Sequence, residues 1–190
     1  MEVRKTRLPG VLVLKPKRFG DARGYFVETY NERVFRAAGV AATFVQDNQS
    51  LSVARGTVRG LHFQLPPESQ AKLMRVVSGR VFDVVVDLRV GSPTYGEWLA
   101  EELSAEGGEQ AYIPAGLAHG FCTLEPMTEV AYKVDRPYAP QCDSGILWND
   151  PQLAIAWPVK EGEAILSDKD RTMGTFAAFK SPFRYEPSVG

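Results

Sequence analysis

Lys72-Leu-Met-Arg-Val-Val-Ser-Gly-Arg-Val-Phe-Asp-Val-Val-Val-Asp-Leu-Arg89 is the stretch that decides the fold. Two apolar, β-branched runs, Lys72 to Val77 and Arg80 to Arg89, flank Ser78-Gly79, which predicts two strands joined as a hairpin. In the second run Arg80, Phe82, Val84, Val86 and Leu88 share one face, while Val81, Asp83, Val85 and Asp87 share the other. Carboxylates alternating with valines suit a solvated surface or the polar interior of a barrel. The surface is the commoner case and is the expectation.

The same texture continues on both sides. Seventeen glycines and thirteen prolines punctuate short runs rich in Val, Leu, Phe and Tyr. Strands are predicted at Gly10 to Leu14, Tyr25 to Tyr30, Phe44 to Gln49, Thr57 to Gln64, Trp98 to Leu103, Gln110 to Ile113, Gly120 to Leu124 and Glu129 to Asp135. Phe19 to Gly24 reads as a turn cluster. One short helix is predicted over Glu32 to Ala38, capped by Asn31 and closed by Gly39. The part from about residue 138 is rich in turn formers and helix signals, with a helix entry at Leu166 to Arg171. The expectation is a mainly β protein, an antiparallel barrel or jelly roll with a few short helices, forming one domain over 1–190.

Composition narrows the function. A net charge of -1 argues against broad nucleic-acid binding but leaves room for a basic pocket. No apolar stretch approaches the roughly 18 to 20 residues of a membrane span. Met1-Glu2-Val3-Arg4-Lys5 is charged where a signal peptide is apolar, so a cytoplasmic location is expected. Cys122 and Cys142 are too few for a disulfide framework or a zinc ribbon and read as reduced structural residues.

Chemistry concentrates around two histidines, His62 and His119. Gly108-x5-Pro114-x-Gly116-x2-His119 resembles the second motif of the cupin barrels, in which the histidine points inward. The first cupin motif carries a metal-binding His-x-His pair and a glutamate, whereas the pair here reads His62-Phe63-Gln64, with Glu68 following. Such a donor set is thin for a redox metal, since one imidazole is missing. A metal-free site with no cofactor is expected. Taken singly, His62 reads as a core histidine, Tyr132 as a core aromatic and Lys72 as a solvated lysine. Asp170, in Ser167-x-x-Asp170, reads equally as a helix cap.

Together these residues change the reading. Phe19-Gly-Asp-x-Arg-Gly24, Phe44-Val-Gln-Asp-Asn48, Arg59-Gly-Leu-His-Phe-Gln64, Ile113-Pro-x-Gly-x-Ala-His-Gly-Phe121, Leu147-Trp-Asn-Asp150 and Leu166-Ser-x-Lys-Asp170 occur in order. The chain thereby resembles the dTDP-4-dehydrorhamnose 3,5-epimerase family of sugar-nucleotide enzymes. The resemblance implies His62 as general base, Asp170 as its hydrogen-bonded orienter, Tyr132 as general acid and Lys72 as the cation facing the enolate oxygen. These residue types suit the task. A proton beside a ketone needs an uncharged base, and imidazole, with a reference pKa of about 6.5, qualifies near neutrality. Inversion needs a donor on the opposite face of the sugar. On a regular strand Arg59 and His62 point to opposite faces, so a bulge at Gly60 is expected if both serve one site.

The resemblance also implies substrate contacts at Phe19, Arg23, Phe26, Glu28, Gln46, Asn48, Arg59, His119, Tyr138, Asp143 and Lys169. Arg23 and Arg59 would meet the diphosphate, Gln46 and Asn48 would lie near the thymine, and Tyr138 would stack on it. Gln49 and Asp143 depart from the family's usual histidine and glutamate. The implied substrate is a dTDP-4-keto-6-deoxy sugar, and the implied partner is a second copy, in a homodimer with exchanged strands that delivers Arg23 to the neighbouring site. The implied activity is epimerisation at C3 and C5. Alternatives are a single-carbon epimerase or ketoisomerase on a related sugar, a metal-dependent cupin oxygenase, and a non-catalytic sugar-binding cupin.

Overall fold

The computed structural model describes residues 1–187. Thirteen strands and two short α-helices run in the order β1 (Glu2–Lys5), β2 (Leu12–Lys15), β3 (Arg18–Asp21), β4 (Gly24–Val27), α1 (Glu32–Ala37), β5 (Gln46–Ser52), β6 (Val58–Gln64), β7 (Lys72–Ser78) and β8 (Arg80–Asp87). There follow β9 (Trp98–Ser104), β10 (Gln110–Ile113), β11 (Leu117–Thr123), β12 (Thr128–Val134), β13 (Asp143–Gly145) and α2 (Asp168–Arg171). A six-stranded sheet has the order β1-β2-β10-β7-β12-β5, and a five-stranded sheet has the order β13-β6-β11-β8-β9. Every strand pairing within them is antiparallel. The mainly β jelly-roll expectation holds, with the two sheets packed as an open sandwich. Among the described residues no helix is long and apolar enough to cross a membrane.

Period two explains the layers. Met74, Val76, Ala111, Ile113 and Val130 from the six-stranded sheet meet Val81, Val85, Leu103, Leu117 and Phe121 from the other. The opposite face of the five-stranded sheet presents Leu61, Phe63, Val84, Val86 and Ala118, which pack under Leu153, Phe176 and Phe183 of the C-terminal segment. Helix α1 buries Phe35 against Leu12, Leu14, Leu73 and Tyr112 on the outside of the six-stranded sheet. Its start follows expectation, with the Asn31 side chain accepting from the Val34 N–H.

Three local expectations are corrected. β7 and β8 do not form a hairpin: β7 pairs with β10 and β12, β8 with β11 and β9, and the chain crosses between sheets at Gly79. Gly79 has φ +78, and a Cβ there would sit 2.4 Å from the Thr128 hydroxyl, so the corner admits only glycine. The face of β8 carrying Asp83 and Asp87 is buried rather than solvated, at 2% and 0% exposure. Both faces of β8 are covered, one by the other sheet and one by the C-terminal segment, and each carboxylate finds donors inside. Asp83 bonds His119, while Asp87 accepts from Arg89, Ser92 and Thr94. Finally, Phe19 to Gly24 is not wholly a turn, because Arg18–Asp21 and Gly24–Val27 pair as a separate two-stranded hairpin.

Candidate active site

Between the two sheets lies a cavity of about 440 Å³. Arg59, His62, His119 and Phe121 enter it from the five-stranded sheet, and Ser50, Lys72 and Tyr132 from the six-stranded sheet. Leu166, Ser167, Lys169 and Asp170 close one side.

The bulge that Arg59 and His62 require is present. His119 lies opposite His62, whereas Phe121 lies opposite Arg59, so β6 spends one more residue than β11 over this interval. Gly60 occupies the extra position with φ +142, and a Cβ on it would lie 2.5 Å from Gly120 Cα. Leu61 then packs outward in the apolar layer while Arg59 and His62 both line the cavity. Arg59 is held by Nε donating to Ser52 Oγ at 3.1 Å and by a guanidinium N–H donating to the Leu51 carbonyl at 3.1 Å.

His62 Nε2 is hydrogen-bonded to Asp170 Oδ1, 108 residues away in sequence. Backbone bonds from Val58 N–H to Ile165 O (2.9 Å) and from Ile165 N–H to Gly56 O (3.0 Å) zip the segment before α2 onto β6. Ser167 then caps α2 by accepting the Asp170 N–H at 3.1 Å. The cap uses the backbone of Asp170 and the histidine uses its carboxylate, so both readings of that residue hold, on different atoms. Burial opposes ionisation of Asp170, but the hydrogen bond and charge of His62, with Ser167 and Lys169, hold its pKa below the ordinary carboxylate value.

Lys72 is buried and donates to the His62 carbonyl at 3.2 Å. Burial lowers its pKa to about 8, against the pull of Asp143 and Asp83. Burial likewise raises the Tyr132 phenol above its ordinary value, with the Arg59 charge acting in the opposite direction. Tyr132 therefore stays protonated at neutral pH. His119 makes a second histidine–carboxylate pair, with Asp83 Oδ1 at 2.6 Å.

Five expected residues form a chain of contacts beside the cavity. Lys169 pairs with Asp143, Asp143 accepts from the Tyr138 hydroxyl (3.0 Å), the Tyr138 N–H donates to Gln46 Oε1 (3.0 Å), and Gln46 Nε2 donates to Asn48 Oδ1 (2.9 Å). Phe19, Arg23 and Phe26 lie on the exposed β3–β4 hairpin, with Glu28 just beyond it, and none of the four lines the cavity of its own chain. Arg23 pairs with Asp21 at 2.6 Å. Gln49 faces outward and bonds Glu129, away from the Gln46–Asn48 row. Ser50, Ser52 and Asp83 were not among the expected site residues. Only Asp83 carried a signal, a carboxylate amid valines.

The donor set does not suit a metal. Gln64, at the second cupin ligand position, is buried and committed to the backbone of Glu68, Pro137 and Ala139. Among the described residues no three His, Cys, Asp or Glu side chains converge as ligands. Cys122 and Cys142 are both free and buried, and burial raises the Cys122 thiol to about 11.

A jelly roll holding a carboxylate-backed histidine and a protonated tyrosine in one cavity defines the class, a cupin-type epimerase. A family model described as dTDP-4-dehydrorhamnose 3,5-epimerase matches residues 5–178. A Sinorhizobium fredii protein named dTDP-4-dehydrorhamnose 3,5-epimerase is 49% identical over 175 residues, which is 92% of this chain and 89% of the relative. The Bacillus anthracis dTDP-4-dehydrorhamnose 3,5-epimerase crystallised with TDP and PPi superposes with TM-score 0.89 at 50% identity, covering 92% of this chain and 98% of that one. The Legionella pneumophila dTDP-6-deoxy-D-glucose-3,5-epimerase in complex with dTDP-4-keto-L-rhamnose gives TM-score 0.91 at 40% identity, covering 97% and 98%. The chain belongs to the dTDP-4-dehydrorhamnose 3,5-epimerase family, and it is an enzyme.

Proposed function

We propose that the cavity epimerises C3 and C5 of dTDP-4-dehydro-6-deoxy-D-glucose to give dTDP-4-dehydro-L-rhamnose, a cytoplasmic step towards activated rhamnose. The observation that carries this reading is the placement of His62, backed by Asp170 of α2, on one sheet and of Tyr132 on the other, across a single cavity. His62 removes the proton from a carbon flanking the C4 ketone, and the bonding electrons move onto the ketone oxygen as an enolate. Asp170 fixes the imidazole and stabilises the imidazolium. Protonated Lys72 faces the enolate charge, in a site where burial strengthens the interaction. Tyr132 returns a proton from the opposite sheet, inverting the carbon. No redox step occurs, so no cofactor is called for.

The test is incubation of the keto sugar nucleotide in heavy water, read by NMR at C3 and C5. Deuterium at both carbons with inversion is expected. Exchange at one carbon would point to a single-carbon enzyme, and exchange at neither would sink the reading.

The same reading pairs two copies of the chain, with the β3–β4 hairpin of each reaching the other's cavity. Its support is the hairpin's position: the Arg23 side chain is 90% exposed, and Phe19 and Phe26 lie open to solvent. Mixing Arg23→Ala with His62→Ala copies should restore activity, because one of the two shared sites is then intact. No restoration after subunit exchange would place Arg23 outside the partner's site.

A further inference from the structure

The β3–β4 hairpin stands off the body of its own chain: only Arg18 and Val27, paired at its base, are partly buried, and the other six strand residues are exposed. Arg18 fastens that base. Its guanidinium donates through Nη1 to the Glu106 carbonyl and through Nη2 to the Ala105 carbonyl, and it lies over the Tyr25 ring, 4.5 Å from the centroid. The receiving loop between β9 and β10 is itself tied down. Ala105 N–H donates to Gly79 O at 3.0 Å, Gly107 N–H to Ser104 Oγ at 2.9 Å and Gly108 N–H to Ser104 O at 3.0 Å. Gly108, at φ +74, leaves the room, because a Cβ there would lie 2.8 Å from Arg18 Nη2. Two donors of one planar group on two carbonyls of one loop fix direction as well as distance, which a point charge does not. Among the described residues no other hydrogen bond ties the hairpin strands to the rest of the chain.

We infer that Arg18 is the positioning residue that aims the hairpin, and with it Arg23, at the cavity of a second copy of the chain. From Arg18 to the turn the arm is about 13 Å long, at about 3.3 Å per residue, so a swing of about 10° at the base carries its tip about 2 Å. Misplacing a binding group by about 1 Å can cost about 10²-fold in rate. The elbow at Arg18 therefore acts on a site to which its own chain supplies neither base nor acid. The inference rests on the reading that pairs two copies of the chain, and deepens it.

Subunit exchange tests it. Arg18→Met keeps the apolar stem and removes both donors. Alone, it should lose about tenfold or more in kcat/KM for the keto sugar nucleotide, at every enzyme concentration. Mixed in equal amounts with His62→Ala copies, it should recover to about a quarter of the wild-type rate, because half the dimers are then mixed and half of their sites join an intact cavity to an intact arm. Tyr25→Ala takes away the ring under the guanidinium. It should show the same recovery from a smaller loss, which keeps the test decisive if Arg18→Met folds poorly. Wild-type kcat/KM in both variants would overturn the inference, as would a loss that vanishes at high enzyme concentration, which would make Arg18 a dimer contact only. So would a loss that mixing leaves unrepaired, since a defect in the chain's own cavity cannot be repaired by His62→Ala copies. Arg23→Ala mixed with His62→Ala is the control. No recovery there would sink the paired reading, and the elbow with it, whereas recovery there and none with Arg18→Met would sink the elbow alone.

Discussion

Two histidine–carboxylate pairs face the same cavity from neighbouring strands, with His62 and His119 directly opposite each other in the β6–β11 register. The chemistry of the pairs is the same, yet their settings differ. The His62 side chain is 31% exposed and its partner Asp170 arrives on a short helix from the C-terminal segment. The His119 side chain is 8% exposed and its partner Asp83 sits on the adjacent strand β8, inside the sandwich. A base must reach substrate and exchange protons, which suits the first pair. The second is built as a fixed, buried contact that shapes the cavity. On the proposed mechanism, access and backing separate the two pairs, and residue type does not.

The carboxylates offer the strongest way to break this comparison. Asp170→Asn should slow proton exchange by about 10²-fold or more, the lower part of the range for a general-base system, with only a small loss of thermal stability. Asp83→Ala should destabilise the fold by about 3 kcal/mol, since it strands a buried imidazole, and should lower the melting temperature visibly. Reversed outcomes, with the stability loss at Asp170 and the rate loss at Asp83, would dissolve the distinction.

Tyr132→Phe sharpens the account of the two faces. Exchange should persist at a carbon served by His62 while inversion at C5 falls by about 10²-fold, measured by NMR in heavy water. Inversion at the wild-type rate would remove Tyr132 as the acid. A smaller effect is expected from Lys72. Its depressed pKa of about 8 means that its positive charge is present below that pH and lost above it, so the wild-type rate should decline above pH 8. Lys72→Met should be slower throughout and lack that alkaline decline, as a pH–rate profile would show.

The smallest effect concerns acid stability. Folded-state pKa values of Asp170 and Asp87 lie below their ordinary value, despite burial, through bonds to His62 and to Arg89, Ser92 and Thr94 respectively. Their contribution is present above the unfolded pKa of about 3.9 and is lost as pH falls through the lower folded values. Denaturant midpoints measured from pH 6 downward should drop as pH falls below about 4, and Asp87→Asn should shallow that drop.

Much of this was legible along the chain because strands and turns are local. The runs Gln110 to Ile113, Lys72 to Val77 and Trp98 to Leu103 lie within the observed strands, and the bulge at Gly60 followed from the parity conflict between Arg59 and His62. Errors arose where distant packing decides. Ser78-Gly79 is a sound hairpin signal, but the sheet that each arm joins depends on β10, β12, β11 and β9. Burial of Asp83 depended on His119, 36 residues away, and on a C-terminal cover that period two on β8 alone cannot reveal. The site shows the same division. Arg59, His62, Lys72, Tyr132 and Asp170, which line the cavity, were named from motifs, whereas Ser50 and the chain of bonds from Asn48 through Gln46, Tyr138 and Asp143 to Lys169 follow from tertiary geometry.

The most direct test sets the two histidines against each other. Deuterium incorporation at C3 and C5 of the keto sugar nucleotide is measured for the wild type, His62→Ala and His119→Asn under the same conditions. The account predicts loss of exchange in His62→Ala by about 10⁴-fold, with His119→Asn remaining within about tenfold of the wild type. Equal exchange in the wild type and His62→Ala would contradict the role of His62 as the base.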